Sequence, residues 1–202
     1  WLKSGLWGQL FGNWRLGSVL SYRTGTPFHT MINKRTSGYL FASNRPNLVA
    51  GHTQNDIISG TTSGCTFVSG IPGPYNAATA DTTNSVAPGQ KLGTPDLYFD
   101  PCAFSATPAG ALGTVGRDTT AGPSVFTMDL SLQKEISLKG DRRLQFRAEL
   151  FNIPNHPNFA APSRSSSTVF SGASGRLNPA AGEILRTATT ARQLQFALRL
   201  SF

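Results

Sequence analysis

The side chains best suited to acid–base or metal chemistry, three histidines, are far apart in this sequence. His29, His52 and His156 show none of the HExxH-like spacing that brings two imidazoles onto one metal ion. Histidine changes its charge near neutral pH and serves in many polar settings. A histidine without neighbouring ligand residues is therefore an ordinary polar residue. We interpret all three as polar loop residues and expect no metal site.

Two acidic residues, Asp129 and Glu149, fall on one face of adjacent predicted strands and could imitate the carboxylate pair of a glycosidase. Arg147 lies beside them, which favours a structural charge network instead. The sequence GTVGR around Gly113 lacks the strand, helix and acidic residue of a nucleotide-binding fingerprint. We therefore predict neither an enzyme nor a bound cofactor.

The two cysteines, Cys65 and Cys102, lie in one long polar region with no further Cys or His at zinc-binding spacing. A single disulfide between them is expected, and it implies an oxidising compartment. Two unrelated free thiols are the alternative, because two cysteines form a weak pattern.

Charge and hydropathy limit the classes of function. The 202 residues carry a net charge of +8, yet the basic residues are scattered singly, so no nucleic-acid partner is expected and anionic lipid head groups fit as well. Charged residues make up 14% of the chain, against about 25% in ordinary soluble domains. No run of about eighteen apolar residues is present, which excludes a transmembrane helix but leaves the shorter strands of a membrane β-barrel possible.

Four segments alternate strictly between apolar and polar residues, as strands do when their two faces meet different surroundings. In the last segment Leu194, Phe196, Leu198, Leu200 and Phe202 share a face, opposite Gln193, Gln195, Ala197, Arg199 and Ser201. The other three predicted strands are Trp14–Arg23, Val125–Gln133 and Arg143–Phe151.

A soluble β-sandwich would also contain such strands, but the connections favour a membrane barrel. The short ISLKGDR turn lies at one end of the predicted sheet, whereas two long loops lie at the other end, as in outer-membrane barrels. Trp14 and Phe202 fall at one rim of the apolar face, and Tyr22 and Phe126 at the other, as interfacial girdles do. We predict an all-β fold, an antiparallel transmembrane β-barrel segment: a partial barrel of about four to six long strands with long extracellular loops.

Six stretches, in this order, resemble the C-terminal barrel region of TonB-dependent outer-membrane receptors, in particular the Oar-like group with a carboxypeptidase-regulatory-like domain that is common in Acidobacteria. The stretches are WRLGSVLSYRTGTPF, RPNLVAG, YFDPCAF, LGTVGRDTTAGPSVFTMDLSLQKE, LQFRAELFNIPNHPNF and ARQLQFALRLSF.

The resemblance implies that residues 1–202 are the C-terminal part of a plugged barrel in the outer membrane of a Gram-negative bacterium, with the plug domain and the N-terminal strands absent. Such a receptor takes up a large nutrient, for example an iron chelate, oligosaccharide, cobalamin or peptide. Its partners would be outer-membrane lipid and lipopolysaccharide, the barrel-assembly machinery, the remainder of its own barrel and plug, and TonB only through the missing plug.

The resemblance also implies an assembly signal at the last strand, formed by Phe196, Leu198, Leu200 and Phe202. Ligand contacts are expected in the two long loops, from Thr24 to Gly122 and from Pro154 to Thr190. Two alternatives remain open: a secreted, soluble β-sandwich that binds carbohydrate or mediates adhesion, and a small oligomeric outer-membrane barrel to which each subunit gives four strands.

Overall fold

A computed structural model describes residues 8, 11–33, 44–108, 110–172 and 175–202, and nearly all of its regular structure is β-strand. The long strands are β1 Trp14–Arg23, β10 Val125–Ser137, β11 Arg143–Phe151 and β14 Gln193–Ser201. The short strands are β2 Pro27–Phe28, β3 Met31–Asn33, β4 Asn47–Leu48, β5 Cys65–Val68, β6 Ile71–Pro74, β7 Ser85–Val86, β8 Phe104–Ser105, β9 Thr120–Ala121, β12 Thr168–Ser171 and β13 Arg176–Leu177.

Helical structure in this part of the chain is short. Two 3-10 turns span Asp56–Ile58 and Pro101–Ala103, and one α-helical turn spans Arg164–Ser167. Gly8 and Phe11 are also helical. Among the residues described, no helix combines the length and the apolar character needed to cross a membrane.

The chain divides into two compact units. The first consists of Trp1–Arg23, Val125–Asn158 and Ala188–Phe202, and the second of Thr24–Ser124 and Phe159–Thr187. We call them the sheet unit and the insertion unit, because the second is built from two insertions between strands of the first.

The sheet unit is one antiparallel sheet in the order β1-β10-β11-β14. The four predicted strands are confirmed, and so is the short turn between β10 and β11. Leu138 N–H donates to Arg142 O at 2.8 Å across this turn, and Gly140 adopts φ 77°, a conformation that glycine adopts without steric cost. The all-β, antiparallel fold class predicted from the sequence is therefore confirmed.

β10 is four residues longer than the alternation predicts. The pattern breaks at Lys134, a charged residue on the apolar side of the strand, and resumes at Ile136. Both residues pair with β11, Lys134 with Phe146 and Ile136 with Leu144, because the short turn keeps the two strands in register up to Ser137 and Arg143.

The sheet is open within the described residues. β1 pairs only with β10, and β14 pairs only with β11, so each presents one unpaired edge and no closed barrel is formed. The sheet has two distinct ends: at the turn end Ser137 pairs with Arg143, and at the insertion end Arg23 pairs with Val125 and Phe151 pairs with Gln193.

The insertion unit consists of small sheets around a core of its own. Its sheets have the orders β13-β12-β3, β2-β9, β4-β8 and β6-β5-β7. Its largest fully buried side chains are Phe67, Phe99, Phe104 and Phe170. Phe67 meets Phe170 edge to face with the ring centroids 5.2 Å apart, and Phe99 meets Phe104 in the same way at 5.8 Å, an arrangement that aromatic pairs favour.

Sequence reasoning did not find this second core. The segments predicted as long loops, Thr24–Gly122 and Pro154–Thr190, supply most of its residues; positions 34–43, 109 and 173–174 of these segments lie outside the described residues. The strands here are only two to four residues long, too short to show an alternating pattern between the Gly and Pro residues that separate them.

Candidate functional site

The sheet unit has one continuous apolar face, and its register produces it. Leu16 lies opposite Leu132, Leu132 opposite Ala148, and Ala148 opposite Phe196. Directly opposed residues of antiparallel strands point to the same side, so the apolar sets of all four strands coincide. The face assignment made from the sequence is thus confirmed across the whole sheet.

This apolar face stands free in the described part of the structure. Leu198 is 70% exposed, and Leu16, Leu20 and Phe196 are similarly open. A β-sandwich would bury the same face against a second sheet. A contiguous apolar surface of this kind on an ordinary soluble protein would cause aggregation, whereas the outer face of a membrane barrel has this character.

The four residues predicted as an assembly signal lie along the last strand. Phe196, Leu198 and Leu200 point to the apolar face of β14, opposite Ala148, Phe146 and Leu144 of β11. Phe202 follows the end of the strand and is 91% exposed. Their part in assembly stays a prediction.

Aromatic residues mark both ends of the apolar face. At the insertion end Tyr22 lies directly opposite Phe126, and at the turn end Trp14 lies directly opposite Lys134. These positions match the two rims predicted from the sequence.

Lys134 is the charged residue of this face and is only 4% exposed. Its Nζ donates to Gly12 O and lies 5.2 Å from the centroid of the Trp14 ring. A cation over an indole face is attracted by the ring quadrupole, and the aliphatic stem of lysine is compatible with apolar surroundings. Lys134 therefore interrupts the apolar alternation, but its ammonium group is stabilised by the Gly12 carbonyl and the Trp14 ring.

The opposite face of the sheet is polar and carries charges of both signs. Its charged residues are Arg15, Arg23, Asp129, Glu135, Arg143, Arg147, Glu149 and Arg199. Arg147 Nη1 lies 3.8 Å from Glu149 Oε1, and Arg143 Nη1 lies 3.7 Å from Glu135 Oε1. Partly hydrated pairs of this kind contribute little stability and suit a wet surface.

Asp129 and Glu149 have separate partners. Asp129 Oδ1 accepts the N–H of Asn152 at 2.9 Å, while Glu149 faces Arg147. The charge network expected from the sequence is thus present between Glu149 and Arg147, whereas Asp129 binds a backbone N–H.

Two asparagines that sequence reasoning overlooked organise the insertion end. Asn158, only 1% exposed, accepts Phe126 N–H at Oδ1 (2.7 Å) and donates from Nδ2 to Phe126 O (2.9 Å) and Thr189 Oγ1 (3.0 Å). Asn152 donates from Nδ2 to His156 O and to Thr190 O, both at 3.2 Å. The FNIPNHPNF sequence that contains both of them was the available signal, since Asn beside Pro marks a tight turn.

The three histidines have unrelated surroundings. His29 Nδ1 lies 2.8 Å from Asp118 Oδ1, His52 Nδ1 lies 3.5 Å from Asp56 Oδ1, and His156 Nδ1 lies 3.2 Å from the oxygen of the Asn158 side chain. In the described part of the chain, no three His, Cys, Asp or Glu side chains are grouped so that they could hold a metal ion.

Cys65 and Cys102 are joined by a disulfide in the core of the insertion unit, with their Cα atoms 5.7 Å apart. The bond connects β5 to the 3-10 turn at Pro101. Beside it Asp100 Oδ1 accepts the N–H of Cys102 at 2.9 Å and the hydroxyl of Thr62 at 3.0 Å.

The glycine of GTVGR has a packing role. A Cβ on Gly113 would lie 1.8 Å from Arg45 O, so only glycine allows the two backbone segments to approach this closely. Val115, two residues later, is buried and donates its N–H to Pro46 O at 3.2 Å.

The insertion unit contains groups with shifted pKa values, among them Tyr98 and Asp81. Burial raises the pKa of the Tyr98 phenol to about 12, and its hydroxyl donates to Ala121 O at 2.8 Å. Hydrogen bonds from Thr83, together with the nearby guanidinium of Arg176, lower the pKa of Asp81 below its usual value. Arg176 Nη2 lies 2.6 Å from Asp81 Oδ2.

Comparison with known protein families agrees with a sheet that is apolar on one face and polar on the other. A family model described as an outer membrane beta barrel domain matches residues 1–195. No curated protein and no solved structure matches the chain. Proteins of this family lie in the outer membrane of Gram-negative bacteria. The chain, with its open antiparallel sheet, apolar on one face and polar on the other, belongs to the outer membrane beta barrel domain family.

Proposed function

We propose that this chain is the C-terminal part of the barrel of a TonB-dependent outer-membrane transporter that takes up a nutrient too large for porins. The observation that carries the proposal is the sorting of the sheet: one continuous apolar face, one polar face, and all long insertions at one end. We infer transport and not catalysis as the activity.

The insertions support a transporter because of their size and their own core. They leave β1 after Arg23 and β11 after Phe151, at the same end of the sheet, and together they form the disulfide-bonded insertion unit. In outer-membrane barrels the short turns face the periplasm and the long loops face the exterior, where solutes are first bound.

The open edges of β1 and β14 support a larger barrel. Unpaired backbone groups in hydrocarbon cost several kcal/mol each, so both edges need further strands. Four strands are too few to enclose a lumen. We propose that the remaining strands and a plug belong to the same protein, and that TonB acts only through this plug.

The proposed partners follow from the two faces and from the last strand. Outer-membrane lipid and lipopolysaccharide would contact the apolar face, and the barrel-assembly machinery would recognise Phe196, Leu198, Leu200 and Phe202 on the free edge of β14. No nucleic-acid partner is proposed.

Uptake by whole cells tests the proposal. Cells that express the complete protein are compared with otherwise identical cells lacking TonB for the accumulation of labelled ferric chelate, cobalamin, oligosaccharides and peptides. We expect accumulation of one of these classes to depend on both the protein and TonB. Accumulation that is the same with and without TonB for every class would refute the proposal.

A second measurement separates the proposed large barrel from a small oligomeric one. The mass of the folded, crosslinked protein in detergent should correspond to a single copy. A mass equal to several copies would favour the oligomeric barrel.

A further inference from the structure

A recess of about 330 Å³ lies on the polar face of the sheet, at the insertion end. Its walls come from β10, β11, β14 and the segment just before β14. The residues that give it its chemical character are Thr127, Asp129, Phe151, Thr190, Gln193 and Gln195. Its volume lies near the lower end of the roughly 300–1,000 Å³ of small-molecule sites.

Phe151 is the aromatic residue on the polar face of the sheet. It lies directly opposite Gln193, and the next aligned pair on this face is Glu149 and Gln195, so an aromatic ring is set among amides and carboxylates. The alternation of β11 places it on this face, whereas Leu144, Phe146, Ala148 and Leu150 of the same strand point to the opposite face. Its half-buried ring forms the apolar part of the recess.

The polar groups around this ring are available to a ligand. Among the described residues, no hydrogen-bonding partner is present for Asp129 Oδ2, for the Thr127 hydroxyl or for the side-chain amides of Gln193 and Gln195. Together they offer one carboxylate acceptor, hydroxyls, and amides that both donate and accept.

The surrounding backbone is held in place. Asp129 Oδ1 accepts the Asn152 N–H, Asn152 Nδ2 donates to Thr190 O, and Asn158 Nδ2 donates to the Thr189 hydroxyl. A site whose walls are fixed by such bonds loses little entropy when a ligand binds.

We propose that this recess binds a neutral saccharide, one or two sugar rings of an oligosaccharide. The apolar face of a sugar ring would pack on Phe151, while its hydroxyls would bond to Asp129, Gln193 and Gln195, each of which can accept from a hydroxyl. The recess carries one carboxylate and no cationic side chain, which does not suit an anionic iron chelate, and its volume is small for a cobalamin. The inference rests on the proposed function, for which it names the substrate class.

The test uses the complete protein, purified from outer membranes in detergent. An array of neutral oligosaccharides containing hexose and pentose oligomers identifies the tightest ligand, and calorimetry then gives its Kd. We expect Phe151→Leu, which keeps an apolar side chain but removes the ring, and Gln193→Ala each to weaken binding about tenfold. Phe151→Tyr should bind as tightly as the wild type, because it keeps the aromatic ring.

A matched control is Gln145→Ala. Gln145 lies on the same polar face but away from the recess, opposite Glu135 and Arg199, so its removal should leave the Kd unchanged. Heat-modifiable gel migration of each variant verifies that the barrel is folded.

The outcomes separate this inference from the proposed function. If no neutral saccharide binds, or if the folded Phe151→Leu and Gln193→Ala proteins bind as tightly as the wild type, the saccharide site is refuted. TonB-dependent uptake of another nutrient would then leave the transporter standing. If saccharide binding is lost in these variants but uptake is independent of TonB, the site stands and the transporter proposal fails.

Discussion

The side chain of Asn158 pairs with both backbone groups of Phe126, accepting its N–H at 2.7 Å and donating to its carbonyl oxygen at 2.9 Å. β1 pairs with β10 as far as Val125, but β11 pairs with β10 only as far as Leu130 and Leu150. The amide of Asn158 therefore takes the place of a neighbouring strand where β11 has already ended. Such a substitute matters most near hydrocarbon, where no water can satisfy the backbone.

Replacing Asn158 by alanine should destabilise the folded protein. The change removes the partners of the N–H and the carbonyl of Phe126, and we expect a loss of about 2–3 kcal/mol in the free energy of unfolding. Urea unfolding followed by heat-modifiable gel migration measures it. Gln133→Ala on β10 is the control, expected to change stability by less than about 0.5 kcal/mol. Equal losses in the two variants would contradict the role of Asn158.

Replacing Leu198 by arginine should block membrane assembly, whereas Arg199→Gln should be tolerated. Leu198 lies on the apolar face opposite Phe146, and Arg199 lies on the polar face opposite Gln145. A charge on a lipid-facing strand costs about 2–4 kcal/mol near the bilayer midplane. The fraction of protein that shows heat-modifiable migration in the outer membrane distinguishes the two variants. Equal fractions would overturn the assignment of the faces.

Deletion of Phe202 should slow assembly in cells more than it affects refolding of the purified protein into detergent. This residue follows β14 and is largely exposed, so it contributes little packing, and its expected role is recognition by the assembly machinery. The measurement is the rate at which newly made protein becomes heat-modifiable. A variant that assembles at the wild-type rate would remove Phe202 from the signal.

The disulfide between Cys65 and Cys102 closes a loop with a sequence separation of 37 residues. In the chain-entropy treatment this stabilises the insertion unit by about 3–4 kcal/mol. The double replacement of both cysteines by serine should therefore make residues 24–124 more sensitive to protease, while the sheet unit keeps its heat-modifiable migration. Denatured, unreduced wild-type protein should take up no thiol reagent. Labelling at both positions would show that the bond is absent.

Tyr98 makes the insertion unit sensitive to high pH. The pKa of Tyr98 is about 12 in the folded state and about 10 in an unfolded chain. Its contribution to the free energy of unfolding is therefore complete below pH 10 and is lost as the pH rises from 10 through 12. The loss is on the order of 2 kcal/mol. Absorbance of tyrosinate should show a late step in native protein that disappears in Tyr98→Phe. If native and urea-denatured protein titrate identically, the buried phenol is not the cause.

The long strands could be predicted because each contains several full alternations. Nine or more residues of period two in β1, β11 and β14 define the face of each strand, and matching apolar sets then fix the register, as Leu16 and Leu132 illustrate. The end of β10 was missed because Lys134 breaks the pattern on the apolar face, and its compensation by Trp14 depends on a neighbouring strand.

The insertion unit and the recess could not be predicted in this way. The pairing of Ile32 with Phe170 joins residues more than a hundred positions apart, and no local pattern records it. The recess depends on the alignment of Phe151 with Gln193 and on the turn at Asn152, both of which follow from tertiary register. The oddity of Phe151 on a polar face was visible in the sequence, but its partners were not.

The pairing of β3 with β12 joins two segments that are far apart in the sequence and therefore leave the export machinery at different times. A polypeptide exported from its N-terminus delivers Ile32 and the two cysteines well before Phe170, which arrives only after the β10–β11 hairpin. Thiol oxidation within the first insertion can thus precede completion of the aromatic core. Maturation of the protein would then proceed in two stages: the disulfide between Cys65 and Cys102 forms first, and the aromatic core packs second.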